Sequence, residues 1–235
     1  MAHQASKQQY EVLDKGFVRL VEQMGGDLAV VLAARVSYGS RPQGEEKDRR
    51  LINYLMKHHH ETPFEHAVYK FHVKCPLFVA RQWFRHRWSS FNEISARYTE
   101  FPDEFYRPAQ LRVQAPRNKQ GSEPAQLENE AELLRLIEQT HQLLYQNYQK
   151  LLAAGVAREL ARGLLPMNSY TQFYWTVNAR SLMNFVNLRA DEGAQWEMRQ
   201  YAEALAQIFE QTMPWSWEAF VNFYWSGENP AIKVR

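Results

Sequence analysis

The sequence predicts an α+β fold in a single domain, and three observations support this prediction. The chain of 235 residues is long enough to bury a substantial core in one domain. Segments with helical periodicity outnumber segments with strand patterns, and the strand segments lie far apart along the chain. No internal repeat and no boundary divides the sequence, so we expect residues 1–235 to form one domain.

The first half of the chain mixes helical and strand patterns. Residues 29–38 are apolar and rich in alanine, which predicts a helix, and residues 41–50 are typical of a charged loop. Apolar residues then recur at helical spacing over residues 51–56. Residues 68–74 alternate between polar and apolar side chains, as a half-buried strand does. Pro76 suits the first turn of a helix that follows this strand.

The second half is mainly helical. Residues 107–126 contain proline and glycine among polar side chains, which predicts a surface excursion. An apolar stripe over residues 130–152 predicts a long amphipathic helix. Residues 170–177 are β-branched and aromatic, which favours a second strand. Two further helices are predicted over residues 178–188 and 194–212.

Composition and charge argue against several classes of protein. The formal net charge of +2 is too small to predict a nucleic-acid partner. The single cysteine, Cys75, can form neither an intramolecular disulfide nor a CxxC metal pair, which suits a cytoplasmic location. Residues 1–10 are polar, and no window approaches the roughly 18 consecutive apolar residues of a membrane span. We therefore expect neither a signal peptide nor a membrane segment.

A first cluster of candidate site residues surrounds the Arg-His-Arg sequence at residues 85–87. A helix that continues from Pro76 would place Gln82, Arg85 and His86 on one face. Such a face could contact a ligand, and a surface charge cluster is the alternative.

Beyond Arg87 the pattern changes to alternation. In an extended segment, Glu93, Ser95 and Arg97 would point to the same side. A carboxylate, a hydroxyl and a guanidinium on one side can bind a polar ring and a phosphate, because the planar guanidinium binds phosphate in a bidentate manner. Local ion pairs on the surface are the alternative interpretation.

The histidine-rich segment HHHETPFEH, residues 58–66, is the one candidate for a metal site. A zinc-protease helix needs His-Glu, two residues and a second His, so that both imidazoles share a face. Here His60 and Glu61 are followed by Thr62 and Pro63, and Pro63 interrupts any helix that would carry the whole set. We therefore expect no metal.

A polar stripe is predicted on the helix over residues 178–188. Arg180, Asn184 and Asn187 fall at helical spacing on one face. Asparagine is a poor helix former, and its amide presents a donor and an acceptor that suit the edge of a heterocycle. The stripe predicts a ligand contact, with capping or inter-helix hydrogen bonding as the alternative.

Together these segments resemble the flavin-dependent thymidylate synthase family. The family signature is Arg-His-Arg, seven residues and then Ser, matched here by Arg85, His86, Arg87 and Ser95. The resemblance runs in order along most of the chain. Its main segments are HETPFEH at 60–66, FVARQWFRHR at 78–87, NEISARY at 92–98 and NARSLMNFVNLRAD at 178–191.

The resemblance implies an antiparallel-rich sheet flanked by helices, and a homotetramer whose subunits share active sites. It implies FAD as the bound cofactor, NADPH and methylenetetrahydrofolate as co-substrates, and dUMP as the substrate. The positions that match dUMP ligands are Gln82, Arg85, Glu93, Ile94, Ser95, Arg97, Arg162 and Arg189. The positions that match FAD contacts are Ser37, His60, Thr62, Arg85, His86, Arg87, Asn92, Glu93, Asn178, Arg180 and Asn184.

The implied reaction is the reductive methylation of dUMP to dTMP, with tetrahydrofolate and NADP+ as by-products. Arg189 would be the catalytic residue. Its guanidinium stays protonated and cannot act as a base, but it can stabilise negative charge that develops on the uracil ring. We assign Ser95 to binding because no His–carboxylate relay is evident to activate it. We assign Cys75, at the end of a strand, to packing.

Three alternatives remain open from the residues alone. A nucleotide- or RNA-binding module could use the arginines of residues 85–97, although the near-neutral charge and the lack of an RRM-like aromatic motif argue against it. A flavoprotein of another reaction would consume NADPH without needing dUMP. A metal hydrolase built on the histidine cluster is the third.

Overall fold

The computed structural model describes residues 8–39, 41–116, 118 and 121–234. Within these residues it has seven β-strands and eight α-helices, which confirms the predicted α+β class. The strands are β1 (Gln9–Val12), β2 (Gly16–Met24), β3 (Val68–Pro76), β4 (Ser89–Glu93), β5 (Arg112–Gln114), β6 (Ser122–Pro124) and β7 (Tyr170–Asn178). The helices are α1 (Asp27–Arg35), α2 (Glu45–Lys57), α3 (Leu77–Trp83), α4 (Glu130–Ala153), α5 (Arg158–Ala161), α6 (Ala179–Arg189), α7 (Trp196–Thr212) and α8 (Pro214–Phe223).

Five strands form one sheet in which every neighbouring pair is antiparallel, in the order β1-β2-β3-β7-β4. The long pair β3 and β7 runs in register from Val68 opposite Asn178 to Pro76 opposite Tyr170. Strand β4 pairs with the other side of β7. The segment that follows Arg-His-Arg therefore lies at an edge of the sheet.

One face of this sheet carries the hydrophobic core. Phe71 on β3 and Trp175 on β7 are fully buried there, and their rings stack 5.7 Å apart. Helices α3, α6 and α7 contact these strands. Trp83 of α3 and Phe185 of α6 pack against Trp175, with ring centroids 5.2 and 5.1 Å away. Each fully buried aromatic side chain contributes about 1.5–3 kcal/mol, so the core firmly positions α3 and α6.

The opposite face of the sheet is open within one chain. Arg19, Lys70 and His72 are half-buried there, and Tyr174 is 43% exposed. The His72 ring stacks on Tyr174 at 4.9 Å. In the described part of the chain, the expectation of a sheet flanked by helices thus holds for one face.

The longest predicted elements are confirmed, with small differences at their ends. The strands expected over residues 68–74 and 170–177 are β3 and β7. The helices expected over residues 130–152, 178–188 and 194–212 are α4, α6 and α7. The helix expected near the N-terminus is α1, which continues into a 3₁₀ turn.

Helix α2 begins earlier than predicted. The expected loop over residues 41–50 is wrong from Glu45 onward, because acidic side chains in the first helical turn favour a helix N-terminus. Asp48 is buried in this turn, accepts hydrogen bonds from the Gln43 amide and pairs with Arg35 at 2.6 Å. The β1–β2 hairpin and helix α8 were not predicted.

Strands β5 and β6 form a two-stranded hairpin within residues 107–126. Of this segment, residues 117, 119 and 120 lie outside the described residues, so the surface excursion stays a prediction there. The hairpin is anchored by Arg112, which pairs with the buried carboxylate of Glu197 and packs over the Trp196 ring at 4.9 Å.

Two kinds of feature are absent from the ranges given above. No group of three His, Cys, Asp or Glu side chains lies close enough together to hold a metal ion. His58 and His60 instead pack around the Tyr54 ring, at 4.3 and 6.0 Å. None of the helices there is long and apolar enough to cross a membrane.

Candidate active site

The Arg-His-Arg sequence forms a turn between α3 and β4. Helix α3 ends at Trp83, so the expectation that Gln82, Arg85 and His86 share one helix face is wrong. The Arg85 and His86 amides donate to the carbonyls of Gln82 and Trp83, which closes the turn. As a result His86 points inward and is half-buried, while Arg85 and Arg87 are exposed.

A first cavity, of about 240 Å³, lies where this turn meets the N-terminal half of α6. Four of the residues predicted to contact FAD line it together: His86, Asn178, Arg180 and Asn184. Asn178 is the N-cap of α6, and its Oδ1 accepts a hydrogen bond from the Ser181 amide at 2.8 Å. The capping geometry fixes the first turn of α6 and so places Arg180 and Asn184 along one wall.

Two carboxylates hold Arg180 in this cavity. Its Nε donates to Glu61 at 2.8 Å, and its terminal nitrogen Nη1 donates to Glu65 at 2.6 Å. The hydrogen bond to Glu65 contributes most to raising the pKa of Arg180. With two of its three nitrogens engaged, the guanidinium is oriented and keeps Nη2 for a ligand.

A second cavity, of about 520 Å³, lies at the C-terminal end of α6. It brings together Gln82 and Arg189, two of the predicted dUMP ligands, with residues of the loop between α6 and α7. Gln82 donates through Nε2 to Gln195 Oε1, and Gln195 donates through Nε2 to Glu197 at 3.0 Å.

One hydrogen bond connects the two cavities. The Nε of Arg189, which lines the second cavity, donates to Nε2 of His86, which lines the first, over 3.0 Å. Burial and then the nearby Arg189 guanidinium lower the pKa of His86 to about 4. His86 is therefore neutral at pH 7, with Nε2 free to accept, so its proton lies on Nδ1. Burial also lowers the pKa of Arg189 from its usual value.

The predicted alternation of Glu93, Ser95 and Arg97 is wrong. Strand β4 ends at Glu93, and the chain then turns, with the Arg97 amide donating to Ser95 Oγ at 3.3 Å. Within β4, neighbouring side chains point to opposite faces of the sheet, so Asn92 and Glu93 lie on different faces of this edge strand. The Glu93 carboxylate accepts a hydrogen bond from Thr171 Oγ1 at 2.6 Å on the core side.

Three other predicted FAD contacts lie on a different surface. Ser37, His60 and Thr62 line a third cavity, of about 730 Å³, between α1, α2 and the segment that precedes β3. His60 lines this cavity, whereas its neighbour Glu61 lines the first. Seven of the eleven predicted flavin contacts thus fall into two separate cavities of one chain.

The other predicted dUMP ligands lie outside these three cavities. Arg162 is exposed in a 3₁₀ turn after α5, and Ile94 is 39% exposed just beyond β4. Arg85, Arg97 and Arg162 form no ion pair within the described ranges. Three exposed arginines without a carboxylate partner are available to an anion.

Asn187 does not extend the predicted polar stripe into a ligand site. Its Oδ1 accepts from the backbone amide of Ser226 at 3.0 Å, which ties α6 to the segment after α8. The alternative, hydrogen bonding between elements, is correct for this residue.

Several cavity residues were not identified from the sequence. Trp88, Trp175 and Tyr224 line the first cavity together with Glu61 and Glu65. No local pattern pairs residues 61 and 65 with an arginine more than a hundred positions away. The high aromatic content of 14% was the only available signal for the rings.

Comparisons with known proteins identify the family of the chain. Residues 19–215 match a family described as thymidylate synthase complementing protein. The chain is 58% identical over 223 residues to the flavin-dependent thymidylate synthase of Thermosipho africanus. This match covers 94% of this chain and 97% of that protein. It is 56% identical over 209 residues to the enzyme of Thermus thermophilus, covering 89% and 77%. The solved structure of a UMP/dUMP methylase, PolB, from Streptomyces cacaoi with 5-Br dUMP superimposes with a TM-score of 0.84 at 34% identity, covering 93% of this chain and 100% of that one.

Proposed function

The chain belongs to the family of thymidylate synthase complementing proteins, the flavin-dependent thymidylate synthases, and we propose on this premise that it methylates dUMP to dTMP. Methylenetetrahydrofolate is the carbon donor and NADPH is the reductant, acting through bound FAD. Tetrahydrofolate and NADP+ are the other products.

The observation that carries this proposal is the hydrogen bond between Arg189 and His86. It joins a cavity lined by predicted flavin contacts to a cavity lined by predicted nucleotide ligands. A reaction in which the flavin reduces a carbon on the nucleotide needs these two ligands side by side. Neither a simple nucleotide-binding module nor an NADPH oxidase requires that arrangement.

The first cavity has a donor set that fits part of FAD. The indole Nε1 of Trp175 is buried in its wall without a hydrogen-bond partner in the part of the chain described, and a ring carbonyl could satisfy it. Asn184 and Arg180 add donors along the same wall. The cavity is smaller than the roughly 300–1,000 Å³ typical of small-molecule sites, so other surfaces must hold the rest of the dinucleotide. When bound, FAD supplies the redox chemistry.

Arg189 acts on the nucleotide by electrostatic stabilisation. Its side chain is half-buried, and within the described residues its hydrogen-bonding partner is the neutral imidazole of His86. No carboxylate neutralises its charge there, so the guanidinium is free to stabilise negative charge that develops on the uracil ring. This makes carbon 5 of the ring a better nucleophile without a covalent bond to the enzyme.

The only cysteine is unsuited to covalent catalysis. Cys75 is fully buried on the core side of β3, and burial raises the pKa of its thiol well above the usual value. A thiolate is therefore not formed at neutral pH. Ser95 likewise serves binding, because its Oγ accepts a backbone hydrogen bond and no imidazole is seen beside it in the described residues.

A homotetramer with shared sites is part of the proposal. Ser37, His60 and Thr62 lie in a different cavity from Arg180, and a site shared between subunits would let one flavin contact both sets, one from each chain. Large apolar side chains exposed on helices α1 and α4 support subunit contacts. They are Leu28, Leu32, Leu133, Leu136 and Leu143. Removing such surface from water favours association, against the entropic cost of bringing subunits together. The cytoplasmic location suggested by the single cysteine stays a prediction.

The test is the release of tritium from carbon 5 of labelled dUMP under anaerobic conditions. FAD, NADPH and methylenetetrahydrofolate are present, and each is omitted in turn. We expect release and dTMP formation that depend on all three. Steady NADPH consumption without tritium release, from a folded and flavin-loaded protein, would indicate a reductase instead.

A further inference from the structure

We propose that Glu197, acting through Gln195, fixes the orientation of the Gln82 amide and thereby makes the second cavity selective for a uracil ring over a cytosine ring. The inference rests on the proposed function, because it concerns the nucleotide that this cavity receives. Glu197 and Gln195 are positioning residues, and neither was predicted as a ligand.

The orientation begins at Glu197, which is 3% exposed at the start of α7. Its Oε1 accepts from the Tyr106 hydroxyl at 3.1 Å and from the Arg112 guanidinium, and its Oε2 accepts from Gln195 at 3.0 Å. A carboxylate paired with arginine offers only acceptors, so Gln195 must turn its NH₂ group toward it.

The amide of Gln195 transmits this constraint. With its NH₂ group on Glu197, its Oε1 faces Gln82 and accepts a hydrogen bond from Nε2 there. Gln82 therefore keeps its own Oε1 for the cavity, where no side chain in the described ranges donates to it. The Glu197 carboxylate, the acceptor at the end of this series of hydrogen bonds, therefore determines which side of each amide carries the oxygen and which the nitrogen.

The two predicted nucleotide ligands in the second cavity thus offer complementary groups to a ligand. Gln82 supplies the acceptor, and the guanidinium of Arg189 on the same cavity supplies only donors. The pairing edge of uracil has a donor, N3–H, between two carbonyl acceptors. Cytosine has an unprotonated, accepting N3 at the same place. In one pose a uracil ring satisfies both groups, whereas a cytosine ring sets its N3 lone pair against an amide oxygen. An unmatched buried acceptor of this kind weakens binding by about tenfold or more.

The test is the variant Gln195→Met in the full-length, FAD-loaded protein. Methionine has a similar volume but cannot form either hydrogen bond, and the contacts of Glu197 with Arg112 and Tyr106 remain. The Gln82 amide is then free to rotate. Gln200→Met is the matched control, because Gln200 lies on α7, whose N-cap is Gln195, and lines none of the cavities described above.

Calorimetric titration with dUMP and with dCMP gives the result. We expect the wild-type protein and the Gln200→Met control to prefer dUMP. The dissociation constant for dCMP divided by that for dUMP should fall about tenfold in Gln195→Met. In a Gln82→Met background the Gln195 substitution should change the ratio no further, because Gln195 acts through Gln82. Equal weakening of both nucleotides in Gln195→Met would show a purely structural role and overturn the inference.

A second measurement does not depend on a variant that folds. The wild-type protein is titrated with dUMP methylated at N3, which lacks the N–H group. We expect binding weaker than that of dUMP by about tenfold. Equal binding of the two nucleotides overturns the inference and leaves the proposed function intact. A wild-type protein that binds no uracil nucleotide contradicts the proposed function itself.

Discussion

The substitution Arg189→Ala separates catalysis from cofactor binding and from folding. The side chain lines the second cavity, and within the described residues its hydrogen bond goes to His86. Losing one half-buried hydrogen bond costs about 0.5–1.5 kcal/mol in the free energy of unfolding. For a chain of this size that lowers the melting temperature by only a few degrees, at about 2–4 °C per kcal/mol.

The expected effect on turnover is much larger. Removing a preorganised donor that stabilises developing charge lowers kcat by about 10²–10³-fold, or about 2.7–4 kcal/mol in the activation free energy. FAD affinity should change little, because the first cavity keeps Arg180, Asn178 and Asn184. The assay combines tritium release at saturating dUMP with flavin fluorescence titration of the apoprotein.

The matched control for this experiment is Arg81→Ala. Arg81 is exposed on α3 and lines neither of the two joined cavities, so turnover should stay normal. If Arg189→Ala kept near-normal turnover, the electrostatic role of Arg189 would be refuted. If it lost FAD and stability together, the contact with His86 would be structural instead.

Three further predictions concern the surroundings of this centre. Cys75→Ala should lower the free energy of unfolding by about 1 kcal/mol, because a buried sulfur is removed. The variant should stay active, and complete loss of turnover in the folded variant contradicts non-covalent catalysis. Glu65→Gln removes one of the two carboxylates that hold Arg180. The dissociation constant for FAD should rise about two- to fivefold while the melting temperature stays nearly constant. Unchanged flavin affinity would refute the role of Glu65 in orienting Arg180. His86 has a pKa lowered from 6.5 to about 4, so the unfolded chain takes up a proton first as the pH falls. The free energy of unfolding should therefore decrease from pH 6.5 to about 4, and denaturant titrations of His86→Asn should show a shallower decrease.

The sequence predicts those elements whose pattern extends over a whole segment. The alternation of β3 survives in the structure because Tyr69, Phe71 and Val73 face the core while Lys70 and His72 face the open side. Helix α4 was predicted for the same reason, because its apolar stripe extends through its whole length. In both cases periodicity and burial have the same cause, namely one apolar face.

Element ends were harder to predict, because single hydrogen bonds decide them. Helix α3 was expected to carry Arg85 and His86, but it ends at Trp83, whose carbonyl accepts from the His86 amide. Strand β4 was expected to continue through Arg97, but Ser95 Oγ accepts a backbone hydrogen bond and starts a turn. Ser and Thr side chains that compete for the backbone in this way favour turns over strands.

The structure places the site residues identified by family resemblance on separate surfaces. Periodicity along one helix grouped Asn184 with Arg180 correctly, because both project from α6. It could not show that Glu61 and Glu65 hold Arg180, since that contact depends on the packing of two distant segments.

The first cavity also reaches a part of the chain beyond the region that matches the family. The match ends at residue 215, whereas Tyr224 lines the cavity at the end of α8 and Ser226 is tied to Asn187. A compound that occupies this cavity therefore touches both the shared signature and a C-terminal segment outside the matched region. For inhibitor design, contacts to His86 and to Tyr224 engage two distant segments of the chain from one cavity.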